Sequence, residues 1–354
     1  MTVFPTPKRP VRIGILGCAN IARQFVRDVA HSPEVKVVAV ASRRNETASD
    51  FAKAFGIARF HGSYEALLAD AGVDVIYLPL PNSLHAEWAI KAADAGKHIL
   101  CEKPLALGLA QARTMFEAAS RNQVMLLEAF PYYFQPQTGA MVDLLRNGAI
   151  GSVRSVQSCF GFTLSNPQNN IRLDADLGGG ALLDAGSYAL SLIRLVMGSA
   201  PVRVLADASW ASPGVDISMM GTLYYADGRR AQLSCAMDAA NHRRATIVGS
   251  AGTIETEYLN HSCMPGDSSA YGYLPSQLRV RRGTANTIAF EDVVCAGGSG
   301  FRFAAEAFAS VLRARDFAAV ARAAQASLDN AATLEALARS ALQGCAVAVE
   351  SSSA

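Results

Sequence analysis

Over its first 130 residues the chain alternates strand-length apolar runs with amphipathic segments, and this rhythm restricts the fold more than any other feature. The runs "VRIGILG", "VKVVAVAS", "VDVIYLPL", "KHILCEKP" and "VMLLEAF" are mostly apolar without alternation. Strands of that kind are buried on both faces, as in a parallel sheet. Between them, "NIARQFVRDVAHS", "ETASDFAKAFG", "LHAEWAIKAADAG" and "LAQARTMFEAASRN" carry apolar residues three and four apart, the helical spacing. The order predicts an α/β fold, a doubly wound parallel sheet with helices on both faces.

After about residue 131 the rhythm changes. Beyond the helical stretch "ALLDAGSYALSL" come "VRVLADASW", "SMMGTLYYADGRRAQLSCAMDA" with its Asp-Gly turn, and "ATIVGSAGTIETEYL". These predict an α+β region with a large, mostly antiparallel sheet. Two helices, "FRFAAEAFASVLRARD" and "SLDNAATLEALARSALQG", close the chain, and His261 to Tyr273, rich in Gly, Ser and Pro, reads as a loop. A length of 354 residues exceeds what one core usually fills, so two domains are expected, 1–130 and 131–354.

The first strand runs into "GILGCANIA", a variant of the dinucleotide fingerprint G-x-G-x-x-G/A. Gly17 supplies the tight turn, Ala19 replaces the second glycine and Ala22 takes the third position. A pyrophosphate would then lie on the backbone N–H groups of Cys18, Ala19, Asn20 and Ile21 at the helix N-terminus. The Ala19 methyl sets the phosphates slightly further out, and a plain tight turn without ligand is the competing reading. The second strand ends in "ASRRN", where an NAD-selective site would carry an acidic residue for the ribose hydroxyls. Ser42, Arg43 and Arg44 offer instead a hydroxyl and two cations for a 2′-phosphate. NADP (NADPH) is expected as cofactor, in preference to NAD. This arrangement is the Rossmann dinucleotide-binding domain.

Strand ends in an open parallel sheet are where ligands bind, and two of them carry "PLPNSLH" and "CEKPL". Lys103 sits directly after a buried strand and before Pro104, in a bond open to the cis form. A lysine there needs a partner, either Glu102 or a ligand oxygen. Further on, "GGGALLDAGSY" places Asp184 and Tyr188 one helical turn apart on one face, after glycines that permit a tight turn. Such a pair is either chemistry or a polar helix edge meeting water.

Together "GILGCANIA", "PLPNSLHAEWAIKAADAGKHILCEKPL" and "LGGGALLDAGSY" resemble the Gfo/Idh/MocA family of sugar and polyol oxidoreductases, and the resemblance extends to "GVDISMMGTLYYADG" and "IVGSAGTIE". Within it, the sequence looks most like the branch of dihydrodiol dehydrogenases, NADP-dependent xylose dehydrogenases and nucleotide-deoxysugar ketoreductases. The resemblance implies that Lys103 binds the reacting oxygen, that Tyr188 is the general acid or base, and that Asp184 orients a substrate hydroxyl. It also implies that Leu80, Asn82, His85 and Glu102 line the cofactor pocket beside Lys103. Hydride transfer to a carbonyl develops alkoxide charge, which an ammonium and a phenol stabilise and protonate. A neighbouring Lys103 is expected to lower the Tyr188 pKa. Arg172 reaches either substrate or cofactor phosphate, or forms a surface salt bridge. In "LLEAFPYYFQPQ", part of the active-site wall, Tyr133 and Gln135 stand where relatives often carry Arg and His.

Composition sets the remaining bounds. Lys plus Arg number 32 against 30 Asp plus Glu, a formal charge of +2, with no basic cluster among aromatics, so nucleic acid is not an expected partner. Seven scattered cysteines without C-x-x-C spacing argue against a disulfide framework or a metal site and fit a reducing cytoplasm. The start "MTVFPTPKRP" has no signal-like apolar stretch and no run spans a membrane, so a cytoplasmic protein is expected. The partners expected are a small carbohydrate-like substrate and further copies of the chain, as a homodimer or tetramer, through the face of the second sheet left bare of helices. The competing function is a non-catalytic NADP(H)-binding sensor or interaction subunit.

Overall fold

The computed structural model describes residues 9–168, 170–211, 215–264, 273–275 and 277–352. The apolar runs become β1 (Val11–Leu16), β2 (Val35–Ala41), β4 (Val75–Leu78), β5 (His98–Glu102) and β6 (Leu126–Ala129), with a short edge strand β3 (Arg59–His61). All pair in parallel, in the order β3-β2-β1-β4-β5-β6. The chain leaves β1 in one direction and returns to its other side at β4, which opens a crevice at the carboxyl ends of these two strands. The edge strand is too short, and its Phe60 too exposed, to leave an apolar run in the sequence.

Helices α1 (Asn20–Val29), α2 (Asn45–Phe55), α3 (Tyr64–Leu68), α4 (His85–Asp94) and α5 (Leu109–Arg121) connect the strands. On α1, Ala22, Phe25, Val26 and Val29 face the sheet, and Phe25 stacks on Tyr77 of β4 at 3.9 Å between ring centroids. After α6 (Pro136–Arg146) a second sheet forms from β7 (Val153–Thr163), β8 (Arg203–Trp210), β9 (Asp216–Tyr224), β10 (Arg230–Ala236), β11 (Asp238–Gly249) and β12 (Gly252–Glu257). A short β13 (His261–Cys263) and β14 (Leu274–Pro275) precede β15 (Gln277–Arg282), β16 (Glu291–Asp292) and β17 (Gly298–Ser299); β18 (Val347–Ala348) ends the list of strands.

The nine-stranded order is β16-β15-β12-β11-β7-β10-β9-β8-β18, antiparallel except for β7 beside β10. Alternating burial along β8, β10 and β12 marks one covered and one bare face. The covered face carries α7 (Ser187–Met197) and α9 (Phe317–Gln343). Leu205 and Met220 stand on the bare face, Met220 at 72% exposure.

Two expectations need correction. His261–Cys263 is strand rather than loop, pairing with Ser299 and Gly298; residues 265–272 of that stretch lie outside the described residues. The last helix begins ten residues early, at Phe317, because Asp316 caps Ala319 N–H and an alanine-rich segment follows. The other closing helix, α8 (Gly300–Ala314), packs Phe301, Ala305 and Phe308 into the first sheet's core beside Ile13, Phe25 and Tyr77. Among the described residues no helix is long and apolar enough to cross a membrane, and no His, Cys, Asp and Glu side chains cluster as a metal site.

Candidate active site

Lys103 leaves the buried end of β5 through a cis peptide to Pro104. The surrounding loop is tied on several sides. The Tyr77 hydroxyl donates to Glu102 Oε1 at 2.6 Å, and Leu105 N–H donates to Glu128 Oε1 at 2.8 Å. The fully buried His85 ring lies between the carbonyls of Pro104 and Leu80, 2.9 Å from each. His85 therefore fixes the two strand-end loops and keeps no ring nitrogen free for a ligand. Burial holds its pKa below the ordinary imidazole value.

From the other side comes the triple-glycine motif. Gly178 and Gly180 have φ of 76° and 116°, and a side chain at Gly178 would strike Leu107 and Asn82. Asn82 Nδ2 donates to the Gly178 carbonyl at 2.8 Å, joining the strand-end loop to the motif. The helix that follows starts on Asp216, whose Oδ2 accepts from Leu182 N–H at 2.6 Å. Leu182–Gly186 form a π-turn before α7, a wider turn than the ordinary helix expected from the spacing. Asp184 lies in this turn and Tyr188 in the first turn of α7, and both face Lys103.

Lys103 Nζ donates to Asp184 Oδ1 at 2.7 Å and to the Asp184 carbonyl at 2.9 Å, and stands 4.9 Å from the Tyr188 ring centroid. The second Asp184 oxygen accepts from Arg172 Nε at 2.5 Å. Arg172 thus bridges to the site through Asp184 while its own side chain stays 41% exposed. Burial alone would raise the Asp184 pKa, but Lys103 and Arg172 hold it far below the carboxylate range. Burial would lower that of Lys103, yet Asp184 and Tyr188 carry it above its ordinary value. For Tyr188 the expected lowering by Lys103 is present but outweighed: burial comes first and the phenol ends above its ordinary value. Glu102 is likewise raised, by burial, against the pull of Tyr77 and Lys103.

Residues that no motif singled out complete the surroundings of Tyr188. Asn260 Nδ2 donates to its hydroxyl at 3.0 Å, and Phe130 and Phe160 meet its ring edge-on at 5.5 and 5.2 Å. Arg243 lies over Phe160 at 3.7 Å and 5.2 Å from the Tyr188 centroid. In "LLEAFPYYFQPQ", Phe130 and Tyr132 reach Tyr188. Tyr133 is 47% exposed and opens onto a different cleft beside Arg146 and Arg322. Gln135 donates to the carbonyls of Asn260 and Gly298 at 2.8 and 2.9 Å, so it holds the Asn260 backbone.

At the other end of the crevice Gly17 turns with φ of 114°, and a Cβ there would lie 2.9 Å from Leu80 Cδ2. Ala19 and Asn20 are exposed at the start of α1, where no side chain caps the first-turn N–H groups and no acidic residue opposes an anion. Ile21 is partly buried against the core of the same sheet face. The Cys18 thiol points back toward the Ala41 and Thr47 carbonyls, at 4.0 and 3.8 Å, so only its backbone faces the turn. Ser42 Oγ accepts from Arg44 N–H at 3.4 Å, and both arginines are exposed, Arg43 beside the Tyr64 phenol. Neither has an ion-pair partner among the described residues. Uncapped N–H groups, a glycine turn and guanidinium groups without a carboxylate partner among the described residues fit a dinucleotide with a 2′-phosphate.

Residues 11–130 match the model of the Gfo/Idh/MocA oxidoreductase family with its NAD-binding Rossmann fold, and residues 139–255 match that family's C-terminal domain. The chain belongs to the Gfo/Idh/MocA family. It is 40% identical over 243 residues to an NADP(+)-dependent D-xylose 1-dehydrogenase of Haloferax volcanii, covering 68% of this chain and 74% of that one. Against a trans-1,2-dihydrobenzene-1,2-diol dehydrogenase of Xenopus tropicalis the identity is 36%, over 68% and 74%. A crystal structure of a 3-ketoreductase from Actinomadura kijaniata with NADP and TDP-benzene superposes with a TM-score of 0.81 at 31% identity, over 94% of this chain and 98% of that one.

Proposed function

We propose that this family member is an NADP-dependent oxidoreductase acting on a secondary alcohol or carbonyl of a sugar, a sugar derivative or a cyclic diol. The observation that carries the reading is the Lys103 ammonium, held between the Asp184 carboxylate and the face of Tyr188. Gly17, Cys18, Ala19, Asn20 and Ile21 would hold the pyrophosphate, Ser42, Arg43 and Arg44 the 2′-phosphate, and Leu80, Asn82 and Glu102 the wall nearer the chemistry. His85 supports that wall through main-chain carbonyls. NADP, when bound, supplies the hydride acceptor or donor.

The chain's own residues move the proton. An ammonium has three N–H donors; Asp184 takes two of those on Lys103, which leaves one for a substrate oxygen. Asn260 donates into the Tyr188 oxygen, leaving the phenol proton free to point at that same substrate oxygen. Tyr188 therefore gives its proton to the forming alkoxide in reduction and takes the hydroxyl proton in oxidation, and Lys103 stabilises the oxyanion between them. Asp184, with a donor on each oxygen, acts chiefly by fixing Lys103, and would meet a substrate hydroxyl through a remaining lone pair. Residues 1–130 hold the cofactor in this reading, and residues 131–354 supply substrate contacts and, through the bare sheet face, the contact for a homodimer or a tetramer of dimers.

Tyr188→Phe and Lys103→Ala should each lower kcat by about 10²- to 10⁴-fold, while NADPH titrated by fluorescence binds within a few-fold of wild type. Unchanged turnover on a substrate found by screening sugars and cyclic diols with NADP would sink the assignment of roles.

A further inference from the structure

The geometry points to a substrate that carries an oxyanion group, a carboxylate or a phosphate, bound by Arg243. This rests on the oxidoreductase reading of the site and narrows it to acidic sugars or sugar phosphates.

Arg243 is brought to Tyr188 by strand register. It pairs with Phe160 across β11 and β7, and Ala245 and Ile247, two and four residues on, are buried on the same face. Its neighbours His242 and Arg244 are exposed, and Arg244 opens onto the bare side of the sheet. The guanidinium lies over Phe160, 3.7 Å from its ring centroid, and 5.2 Å from that of Tyr188. It makes no hydrogen bond and no ion pair among the described residues; aromatic faces are its whole company. A guanidinium stays charged at any physiological pH and presents five N–H donors in a planar fork. Left without an acceptor in a partly buried place, it is costly, and stacking offsets only part of that cost.

The surrounding charges do not neutralise it. Among the described residues, the carboxylates beside Lys103 are Asp184, whose two oxygens accept from Lys103 and Arg172, and Glu102, which accepts from Tyr77. Lys103, Arg172 and Arg243 therefore surround Asp184 and Tyr188 with three cations against the one carboxylate of Asp184, an excess of positive charge on the substrate side of Tyr188. An anionic group on Arg243 would supply the acceptors that its guanidinium fork lacks. A neutral sugar would leave the guanidinium fork with hydroxyl acceptors alone, which it binds less strongly.

The test measures kcat/KM of the full-length protein with NADP for D-glucose, D-glucuronate and D-glucose 6-phosphate, in wild type, Arg243→Gln and Arg243→Lys. The expected result is a wild-type preference for one anionic sugar of about 10- to 100-fold over glucose. Arg243→Gln should collapse that ratio toward one, and Arg243→Lys should keep part of it. Preference for glucuronate identifies a carboxylate, and preference for the 6-phosphate a phosphate. Equal or better turnover of glucose in wild type would overturn the inference, even if both variants failed to fold. So would an Arg243→Gln defect of the same size on all three sugars, the mark of a structural role. If none is turned over, titration of the NADPH complex with glucuronate and glucose 6-phosphate decides. Binding that depends on Arg243 sustains the anion site and counts against the hydride-transfer reading, whereas no such binding overturns the anion site.

Discussion

The two sides of Tyr188 treat positive charge in opposite ways. On the side built by β5 and the glycine motif, Lys103 and Arg172 share Asp184, and each of its oxygens has a donor. On the side built by β11, the Arg243 guanidinium lies against aromatic rings and has no hydrogen-bond or ion-pair partner among the described residues. The same contrast recurs at the cofactor end, where Arg43 and Arg44 stand without ion-pair partners among the described residues while Arg194 is closed by Asp329 and Arg12 by Asp74. A charge that the fold neutralises itself is serving position. A charge left open in a crevice is available to a ligand, and here the open ones stand where a 2′-phosphate and a substrate would lie.

Breaking the closed side should have the largest effect on stability. Asp184→Asn leaves the partly buried Lys103 and Arg172 without their carboxylate, a loss of about 3–5 kcal/mol by the usual cost of orphaning a buried charge. Because the Asp184 pKa is held below its unfolded value, its contribution is fully present above that unfolded value and is lost as pH falls. Urea unfolding should therefore show an acid limb below about pH 4 that is shallower in Asp184→Asn. Equal stability of the two proteins at pH 7 would mean that the cluster is not structural.

Glu128, which holds Leu105 N–H just beyond Lys103, is a closed-side group with one oxygen unpartnered. Burial raises its pKa to about 7. A raised carboxyl contributes stability that is fully present below its unfolded value and is lost as pH rises from there through the folded value. Between roughly pH 4.5 and 7 it should cost up to about 3 kcal/mol, and Glu128→Gln should remove that slope. A wild-type unfolding free energy that does not vary from this source over the window would contradict the assignment.

On the open side, Arg43→Ala should weaken NADPH binding about 10- to 100-fold and leave NADH binding within two-fold, read by parallel fluorescence titrations. Equal losses for both cofactors would mean that Arg43 contacts something other than a 2′-phosphate. The smallest effect on the fold belongs to Met220→Asp, on the bare sheet face. It should change unfolding stability by less than about 0.5 kcal/mol yet shift the mass by light scattering from dimer or tetramer toward monomer. A wild-type mass equal to one chain at all concentrations would remove the homo-oligomer from the proposal.

Local pattern carried much of this in advance. Burial on both faces is written into the unbroken apolar runs of β1, β2, β4 and β5, because a strand's side chains have only two directions to go. Turn chemistry marked Gly17 and the Gly178–Gly180 stretch, and the odd position of Lys103 marked a polar site at a strand end. The resemblance carried by those motifs then supplied roles for Asp184 and Tyr188. Other facts depend on which distant segments pack together. Asn260 and Arg243 lie 72 and 55 positions from Tyr188 in sequence and reach it only through the β11–β7 register and the Gln135 tether. The spacing of Asp184 and Tyr188 fixed their common direction, but their ionisation follows from burial and from the cations around them, so the Tyr188 pKa rises where an adjacent lysine alone would lower it. Periodicity and turn residues are properties of a few consecutive positions and can be read along the chain. Charge balance in a site sums contributions from segments a hundred residues apart, and exists only once the core has brought them together.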